Sequence, residues 1–266
     1  MQLKDQAAIV TGGASGLGAA TARKLAAQGA KVAVCDLNAK LAEGVAAEIK
    51  GTAIACDVTD AASAEAAVAQ AAKSHGPARV LVNCAGIGVA KRVVGRDGPH
   101  PLADFEKVIK VNLIGSFNML RLATAAMSKL EPLAGGERGV IINTASVAAY
   151  DGQIGQAAYS ASKGGIVGMT LPIARELARF GIRVMTIAPG IFETPMFNSG
   201  GHAAGPMNKA LRGAVQFPAR PGDPSEFASM VEEIIENRML NGFTLRLDGA
   251  YRVPPGEPSW WTGAKT

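Results

Sequence analysis

Three side chains that can move a proton or hold an oxygen lie close together in the chain: Ser146, Tyr159 and Lys163. Tyr159 and Lys163 are four residues apart in a stretch with helical periodicity, so they share one helix face. A tyrosine hydroxyl has an ordinary pKa of about 10, but a neighbouring ammonium stabilises its phenolate. Such a tyrosine can take the proton of an alcohol or return it to a carbonyl, while a serine hydroxyl holds the same oxygen. The three residues therefore predict acid–base chemistry at an alcohol or ketone.

A glycine-rich loop runs from Thr11 to Gly18 with the spacing G-x-x-x-G-x-G, between a predicted strand and a predicted helix. Glycine lets the backbone turn tightly and approach a pyrophosphate, whose charge rests on the amides at the helix N-terminus. A glycine cluster alone also makes ordinary turns, and its position between strand and helix is what favours a dinucleotide site. The expected contacts are Gly12, Ser15, Gly16, Leu17 and Gly18.

An acidic residue, Asp36, closes the second predicted strand, where a ribose-binding carboxylate is expected. It can accept both ribose hydroxyls of NAD and would repel the additional phosphate of NADP. No basic residue lies in the glycine loop or directly after Asp36, since Leu37 and Asn38 follow. The predicted cofactor is therefore NAD. A helix-capping role for Asp36 is compatible with this prediction.

Small and polar residues follow the third and fourth predicted strands, where an adenine or a ribose could lie. Each segment could also be an ordinary turn. Cys84 is expected to be a small packing residue rather than a nucleophile, because no histidine lies near it in the sequence. The expected contacts are Asp57, Val58, Asn83, Cys84, Ala85 and Gly86.

Short apolar runs alternate with helical patterns along the chain, and these elements must position the candidate residues. The alternation predicts an α/β fold: one doubly wound Rossmann-type domain with a seven-stranded parallel sheet and helices on both faces. Ligands of such sheets bind beyond the carboxyl ends of the strands. The predicted strands are 7–11, 31–35, 52–56, 80–83, 140–143, 184–187 and 243–247, and helical patterns lie around 16–28, 38–50, 61–74, 103–130, 157–180 and 224–237.

Two irregular segments interrupt this pattern. Residues 192–222 contain many Gly, Pro and Asn residues, which suits a mobile substrate lid within a catalytic domain of residues 1–252. Residues 253–266 are rich in Pro, Gly and Trp and are expected to form a loose tail. Pro172 lies inside a helical pattern, so a kink or a restart is expected there.

The composition favours a compact enzyme without nucleic-acid or membrane partners. The net charge is +5, but the basic residues are dispersed, and no apolar run is long enough to span a bilayer. The cysteines are three, an odd number in apolar surroundings, which makes a disulfide framework improbable and a reducing compartment the default. The first strand starts by Ala7, which leaves no room for a targeting peptide, so the expected location is the cytoplasm.

The glycine loop, the segment 83–86, Asn112, Ser146, the Tyr159–Lys163 pair and Pro189-Gly190 together resemble the short-chain dehydrogenase/reductase family. Within that family the chain is similar, over about residues 7–250, to the type-2 3-hydroxyacyl-CoA dehydrogenases. These are also named 3-hydroxy-2-methylbutyryl-CoA or type-10 17β-hydroxysteroid dehydrogenases.

The resemblance implies roles that the residue types alone do not give. Lys163 would also bind the nicotinamide ribose, and Asn112 would support this lysine through a water. Gln153 would contact the substrate together with Ser146 and Tyr159. A homotetramer without metal is implied, as are cofactor contacts from Pro189, Gly190, Phe192 and Thr194.

The leading hypothesis is an NAD-dependent oxidoreductase that interconverts 3-hydroxyacyl-CoA and 3-oxoacyl-CoA. Cations near the lid could hold the CoA phosphates, although each could be an ordinary surface charge: Lys91, Arg92, Arg96, Lys209 and Arg212. Apolar lid residues could cover the acyl chain: Ile191, Phe192, Met196, Phe197 and Met207. The alternatives are a hydroxysteroid or other secondary-alcohol dehydrogenase, and a non-catalytic nucleotide-binding scaffold. A scaffold would not need the intact Ser146, Tyr159 and Lys163.

Overall fold

The computed structural model describes residues 1–96, 98–199 and 214–254, and seven strands of these residues form one parallel sheet. The sheet strands are β1 (Ala7–Thr11), β2 (Lys31–Asp36), β3 (Thr52–Ala55), β4 (Val80–Asn83), β7 (Gly139–Thr144), β8 (Ile182–Pro189) and β9 (Thr244–Leu247). Their order is β3-β2-β1-β4-β7-β8-β9, while β5 (Val94–Gly95) and β6 (Gly98–Pro99) form a separate hairpin. The predicted sheet is confirmed, and its order reverses between β1 and β4, where such sheets bind ligands.

Helices cover both faces of the sheet. They are α1 (Gly16–Ala27), α2 (Ala39–Ile49), α3 (Ala61–His75), α4 (Leu102–Ile109), α5 (Gly115–Met127), α6 (Ala157–Leu177), α7 (Pro195–Ser199) and α8 (Pro224–Glu236). Alternate strand residues point to opposite faces, so β1 contributes to two apolar cores. Val10 packs in the core that holds Leu25 of α1 and Phe227 of α8, and Ile9 packs in the core that holds Met119 of α5.

The helical pattern of residues 103–130 is interrupted in the structure. A π-helical turn, Lys110–Ile114, separates α4 from α5 and contains the buried Asn112. Directly after it, a Cβ added at Gly115 would lie 2.5 Å from Cγ2 of Val58, so α5 begins in close contact with the segment after β3. Turns of this type occur inside helices, frequently at functional sites.

Pro172 does not restart its helix, because α6 continues from Ala157 to Leu177. Proline removes the donor that would reach the carbonyl of the residue four positions earlier. That residue is Gly168, which is exposed, so water can satisfy its carbonyl.

The expected lid and tail are described in part. A bridge between Phe192 and Gly222 joins the two ends of the lid segment. Residues 200–213 of the lid and 255–266 of the tail lie outside the described residues, as do the expected contacts Met207, Lys209 and Arg212. In the part of the chain that is described, none of the helices is both long and apolar enough to cross a membrane.

Candidate active site

A cleft of about 740 Å³ lies beyond the carboxyl ends of the central strands, a size typical of small-molecule sites. Most of the residues expected to contact cofactor or substrate line it: Gly12, Ser15, Gly16, Leu17, Gly18, Asp36, Asp57, Val58, Cys84, Ala85, Gly86, Ser146, Gln153, Tyr159, Lys163, Pro189, Gly190, Phe192 and Thr194. Asn83 and Asn112 are buried beside the cleft rather than lining it.

Two positions of the glycine loop, Gly12 and Gly18, have no space for a side chain. Gly12 has φ +62°, and a Cβ on it would lie 2.7 Å from the backbone nitrogen of Ala85. A Cβ on Gly18 would lie 2.1 Å from the carbonyl oxygen of Gly12. The loop thus leaves a cradle at the N-terminus of α1, the arrangement that binds a pyrophosphate. Its geometry fits a dinucleotide.

The Asp36 carboxylate lines the cleft and is held by two backbone amides. Its oxygens accept hydrogen bonds from the nitrogens of Ala14, at 3.1 Å, and Asn38, at 2.9 Å. The side chain of Asn38, not that of Asp36, caps α2. Leu37 beside it is 76 % exposed. A ribose hydroxyl can therefore reach a fixed carboxylate with no cation next to it in sequence.

The end of the cleft where an adenine is expected includes residues that the sequence analysis missed. Asp57 accepts a hydrogen bond from the nitrogen of Thr59, at 2.9 Å, and Thr59 lines the cleft beside Val58. Lys107 and Val111 line it from α4 and the π-helical turn. These two residues do not follow a strand, whereas the sequence analysis searched for ligand contacts at the carboxyl ends of the strands. The position of Val111 directly before Asn112 was the available signal.

Asn83 joins strands rather than contacting the cleft. Its amide nitrogen donates to Oδ1 of Asn143, at 3.0 Å, and to the carbonyl of Ser116, at 3.2 Å. The next residue, Cys84, accepts a hydrogen bond from the hydroxyl of Thr144 at 3.6 Å. Burial raises the pKa of the Cys84 thiol to about 11, which agrees with the packing role expected for it.

Lys163 lies buried at the centre of the site. Its ammonium donates to the carbonyl oxygen of Thr144 at 2.7 Å and is 5.6 Å from the centre of the Tyr159 ring. Gly86 faces this group, since a Cβ there would be 3.6 Å from Nζ. Burial lowers the pKa of Lys163 to about 8, so the side chain is largely charged at neutral pH.

The hydroxyls of Tyr159 and Ser146 lie next to each other in the wall of the cleft. Burial raises the pKa of Tyr159, and a side-chain hydrogen bond with Ser146 opposes that rise. The hydroxyl oxygen of Ser146 also accepts from the nitrogen of Ala148 at 3.1 Å, which fixes its position after β7. A carbonyl or alcohol oxygen placed between these two hydroxyls could exchange a proton with Tyr159.

Asn112 supports the site from the π-helical turn. Its Oδ1 accepts from the nitrogen of Ile87 at 2.8 Å, and its Nδ2 donates to the carbonyl of Ile87 at 2.9 Å and to Oγ of Ser162 at 3.0 Å. These bonds join the segment after β4 to the helix that carries Lys163. The site thus draws on β4, β7, α6 and the π-helical turn.

The remaining wall follows β8. A Cβ on Gly190 would lie 2.8 Å from Cβ of Asp248, so this segment packs against the residues after β9. Thr194 lies over the glycine loop, 3.3 Å from the Cβ position of Gly16, and Phe192 meets Phe227 edge to face. The backbone nitrogen of Gln153 donates to the side chain of Gln156 at 3.0 Å.

Known proteins share this arrangement. A sequence profile of the short chain dehydrogenase family matches residues 6–204. The 3-hydroxyacyl-CoA dehydrogenase type-2 of Bos taurus is 52% identical over 95% of this chain and 97% of its own length. A crystal structure of 3-hydroxyacyl-CoA dehydrogenase type-2 from Mycobacterium avium has TM-score 0.88 and 40% identity, covering 96% of this chain and 100% of that one.

A structure of 3-ketoacyl-(acyl-carrier-protein) reductase from Brucella melitensis, complexed with NADH, has TM-score 0.84 and 30% identity, covering 94% of this chain and 100% of that one. The chain belongs to the short chain dehydrogenase family. The resemblance drawn from its motifs is thereby confirmed, as is the assignment to the oxidoreductases.

The lowered pKa of Lys163 makes stability depend on pH in a definite direction. Between about pH 8 and pH 10 the folded protein has lost this proton, while the unfolded chain, with an ordinary lysine pKa of about 10.4, retains it. The wild type should therefore gain stability relative to Lys163→Met as the pH rises through this range. Urea unfolding measures the free energy of unfolding of both proteins at each pH. A difference between the two free energies that stays constant with pH would contradict the lowered pKa of Lys163.

Proposed function

We propose that the protein is an NAD-dependent dehydrogenase that interconverts 3-hydroxyacyl-CoA and 3-oxoacyl-CoA. The observation that carries the proposal is that Ser146, Tyr159 and Lys163 line one cleft together with a dinucleotide cradle. The names of relatives about half identical to this chain over nearly its full length support the acyl-CoA substrate. A scaffold would not need this acid–base group. No observation favours a hydroxysteroid over an acyl-CoA.

The proton chemistry follows from the two hydroxyls and the ammonium. In the reductive direction Tyr159 gives its proton to the substrate carbonyl oxygen, and in the oxidative direction it takes the alcohol proton. Its raised pKa keeps it protonated at neutral pH, the form needed for reduction. Lys163 stabilises the phenolate left behind, and Ser146 donates a hydrogen bond to the oxygen where charge develops.

The cofactor would bind along the glycine loop and the strand ends. The loop amides would hold the pyrophosphate, Asp36 the adenosine ribose and Lys163 the second ribose. When bound, NAD supplies the acceptor for the hydride of the alcohol. Asp57, Val58 and the segment after β4 would flank the adenine end, and the segment 189–194 would hold the other end in place.

The nucleotide phosphates of an acyl-CoA would bind to cations near the entrance of the cleft. Of the cations in the described residues, Lys91 forms an ion pair with Asp104, which reduces the charge it offers to a phosphate. Arg92 and Arg96 follow it in the same loop, and Lys107 lines the cleft itself. Ile191, Phe192, Met196 and Phe197 line the cleft and would cover the acyl chain.

The proposal extends to assembly and compartment. We propose a homotetramer, and contacts between subunits are supported by apolar side chains left exposed on helices and near β9, including Ile114, Phe117, Leu171 and Phe243. Three free cysteines agree with a reducing compartment, for which we propose the cytoplasm.

Replacement of Tyr159 by Phe should remove turnover and leave cofactor binding intact. The ring keeps its packing but no longer carries a proton, a loss of about 10²–10⁴-fold in kcat. Tyr150→Phe, at an exposed tyrosine, is the matched control. Turnover is followed by NADH absorbance and binding by NADH fluorescence. Substantial activity in Tyr159→Phe would mean that another group is the base.

The enzyme should prefer NAD over NADP strongly, because the Asp36 carboxylate repels a ribose phosphate. Asp36→Ala combined with Leu37→Arg should narrow the preference by exchanging repulsion for attraction. The measurement is kcat/KM with each cofactor. Leu37→Ala alone is the control and should keep the preference. Equal efficiency of the wild type with both cofactors would contradict the assignment.

Acetoacetyl-CoA should be a better substrate than its pantetheine ester or a steroid ketone. The nucleotide end of CoA adds binding energy far from the reacting carbon, which helps to orient the carbonyl. Because exposed pairs contribute about 0–1 kcal/mol each, the advantage should shrink at high salt. If the pantetheine ester has the same kcat/KM as the CoA ester, the CoA phosphates do not contribute to binding. If the steroid ketone has a higher kcat/KM than both esters, the acyl-CoA substrate is refuted.

A further inference from the structure

The residues after β9 return to the cleft and form part of its wall. We call residues 248–254 the C-terminal strap. Its Tyr251 is 2 % exposed and lines the cleft together with Val253. The Tyr251 ring belongs to one apolar cluster with Val147, the residue directly after Ser146, and with Val215 near the end of the lid segment. The ring therefore lies on the side of the cleft where the substrate binds.

Arg246 of β9 fixes the strap to the loop after Ser146. Its Nε donates to Oδ2 of Asp248 at 2.7 Å, and its Nη2 donates to Oδ2 of Asp151 at 2.6 Å. The same Nη2 is 3.1 Å from the carbonyl oxygen of Tyr251. The guanidinium is partly buried, so these ion pairs are less screened than fully exposed pairs. One side chain thus ties Tyr251 to the loop that follows Ser146.

Further contacts hold the strap from other sides. Within the strap, the nitrogen of Tyr251 donates to the carbonyl of Asp248 at 2.9 Å, which closes a turn. Nε2 of Gln153 donates to the carbonyl of Pro254 at 3.3 Å. The strap also packs so closely on Gly190 that a Cβ there would lie 2.8 Å from Cβ of Asp248. The backbone of Tyr251 is therefore held in place, and its buried ring packs in the apolar cluster with Val147 and Val215.

We propose that Tyr251 closes the acyl end of the substrate cleft and limits the length of the acyl chain, with Arg246 as the residue that positions it. The inference rests on the proposed function, since it concerns the same cleft. An aromatic ring in a packed cluster does not yield to additional methylenes, because overpacking forces side chains and backbone to shift. Short acyl groups would fit beside the ring, and longer ones would meet it.

The test measures kcat/KM for 3-oxoacyl-CoA esters of four, six and eight carbons, and for the methyl 3-oxo esters of the same acyl chains. Tyr251→Ala should raise the ratio of eight-carbon to four-carbon efficiency by about tenfold or more in both series. Tyr251→Val is the second small variant, should Tyr251→Ala fold poorly. Tyr251→Phe keeps the ring and should keep the wild-type ratio. An unchanged ratio in both small variants, with folded protein and wild-type NADH binding, overturns the inference while the proposed function stands.

Arg246→Lys tests the positioning role. It keeps a positive charge but loses the fork that joins Asp151 to Asp248, so the length ratio should shift as in Tyr251→Ala, by a smaller factor. Arg23→Lys, in the surface pair with Glu48, is the matched control. An equal loss of kcat/KM at every chain length overturns the positioning role. If the wild type turns over the methyl esters but not the CoA esters, only the proposed binding of CoA is refuted. If it turns over neither series, both proposals are refuted.

Discussion

The segments that follow β1 and β4 approach each other so closely that Gly12, in the glycine loop after β1, has no space for a side chain. A Cβ on Gly12 would lie 2.7 Å from the nitrogen of Ala85, and one on Gly18 would lie 2.1 Å from the carbonyl of Gly12. This contact brings the N-terminus of α1 to the switch point of the sheet. The cradle for a dinucleotide, and the distance between it and the acid–base group, both depend on it.

The acid–base group is held by a second set of contacts that starts from the same crevice. Gly86 lies against both Lys163 and Asn112, and the carbonyl oxygen of Thr144, at the end of β7, accepts a hydrogen bond from the Lys163 ammonium. Burial lowers the pKa of Lys163, yet the side chain remains mostly charged at neutral pH and lies close to Tyr159. The residues after β4 therefore contact both the acid–base group and the glycine loop.

The sequence allowed the sheet and most of the cleft to be predicted, because apolar runs, the glycine spacing and the Tyr159–Lys163 pair are local patterns. The π-helical turn was not predictable from periodicity, since one wider turn leaves the apolar pattern of 103–130 almost unchanged. Tyr251 was missed because it reaches the cleft through a loop rather than a strand end. Asn83 lies at the carboxyl end of β4, but its hydrogen bonds to Asn143 and Ser116 turn it into the core.

The two kinds of segment around the cleft divide the work. The residues proposed for the chemistry lie on buried strand ends and α6, whose contacts leave little freedom to change. The proposed substrate contacts come from the lid segment and the strap, which meet the rest through a few bonds such as the Phe192–Gly222 bridge and the Arg246 ion pairs. A fold of this kind can keep one reaction and vary its substrate. Differences in substrate among relatives should therefore arise where Tyr251, Val253 and residues 191–197 meet the cleft, rather than around Ser146, Tyr159 and Lys163.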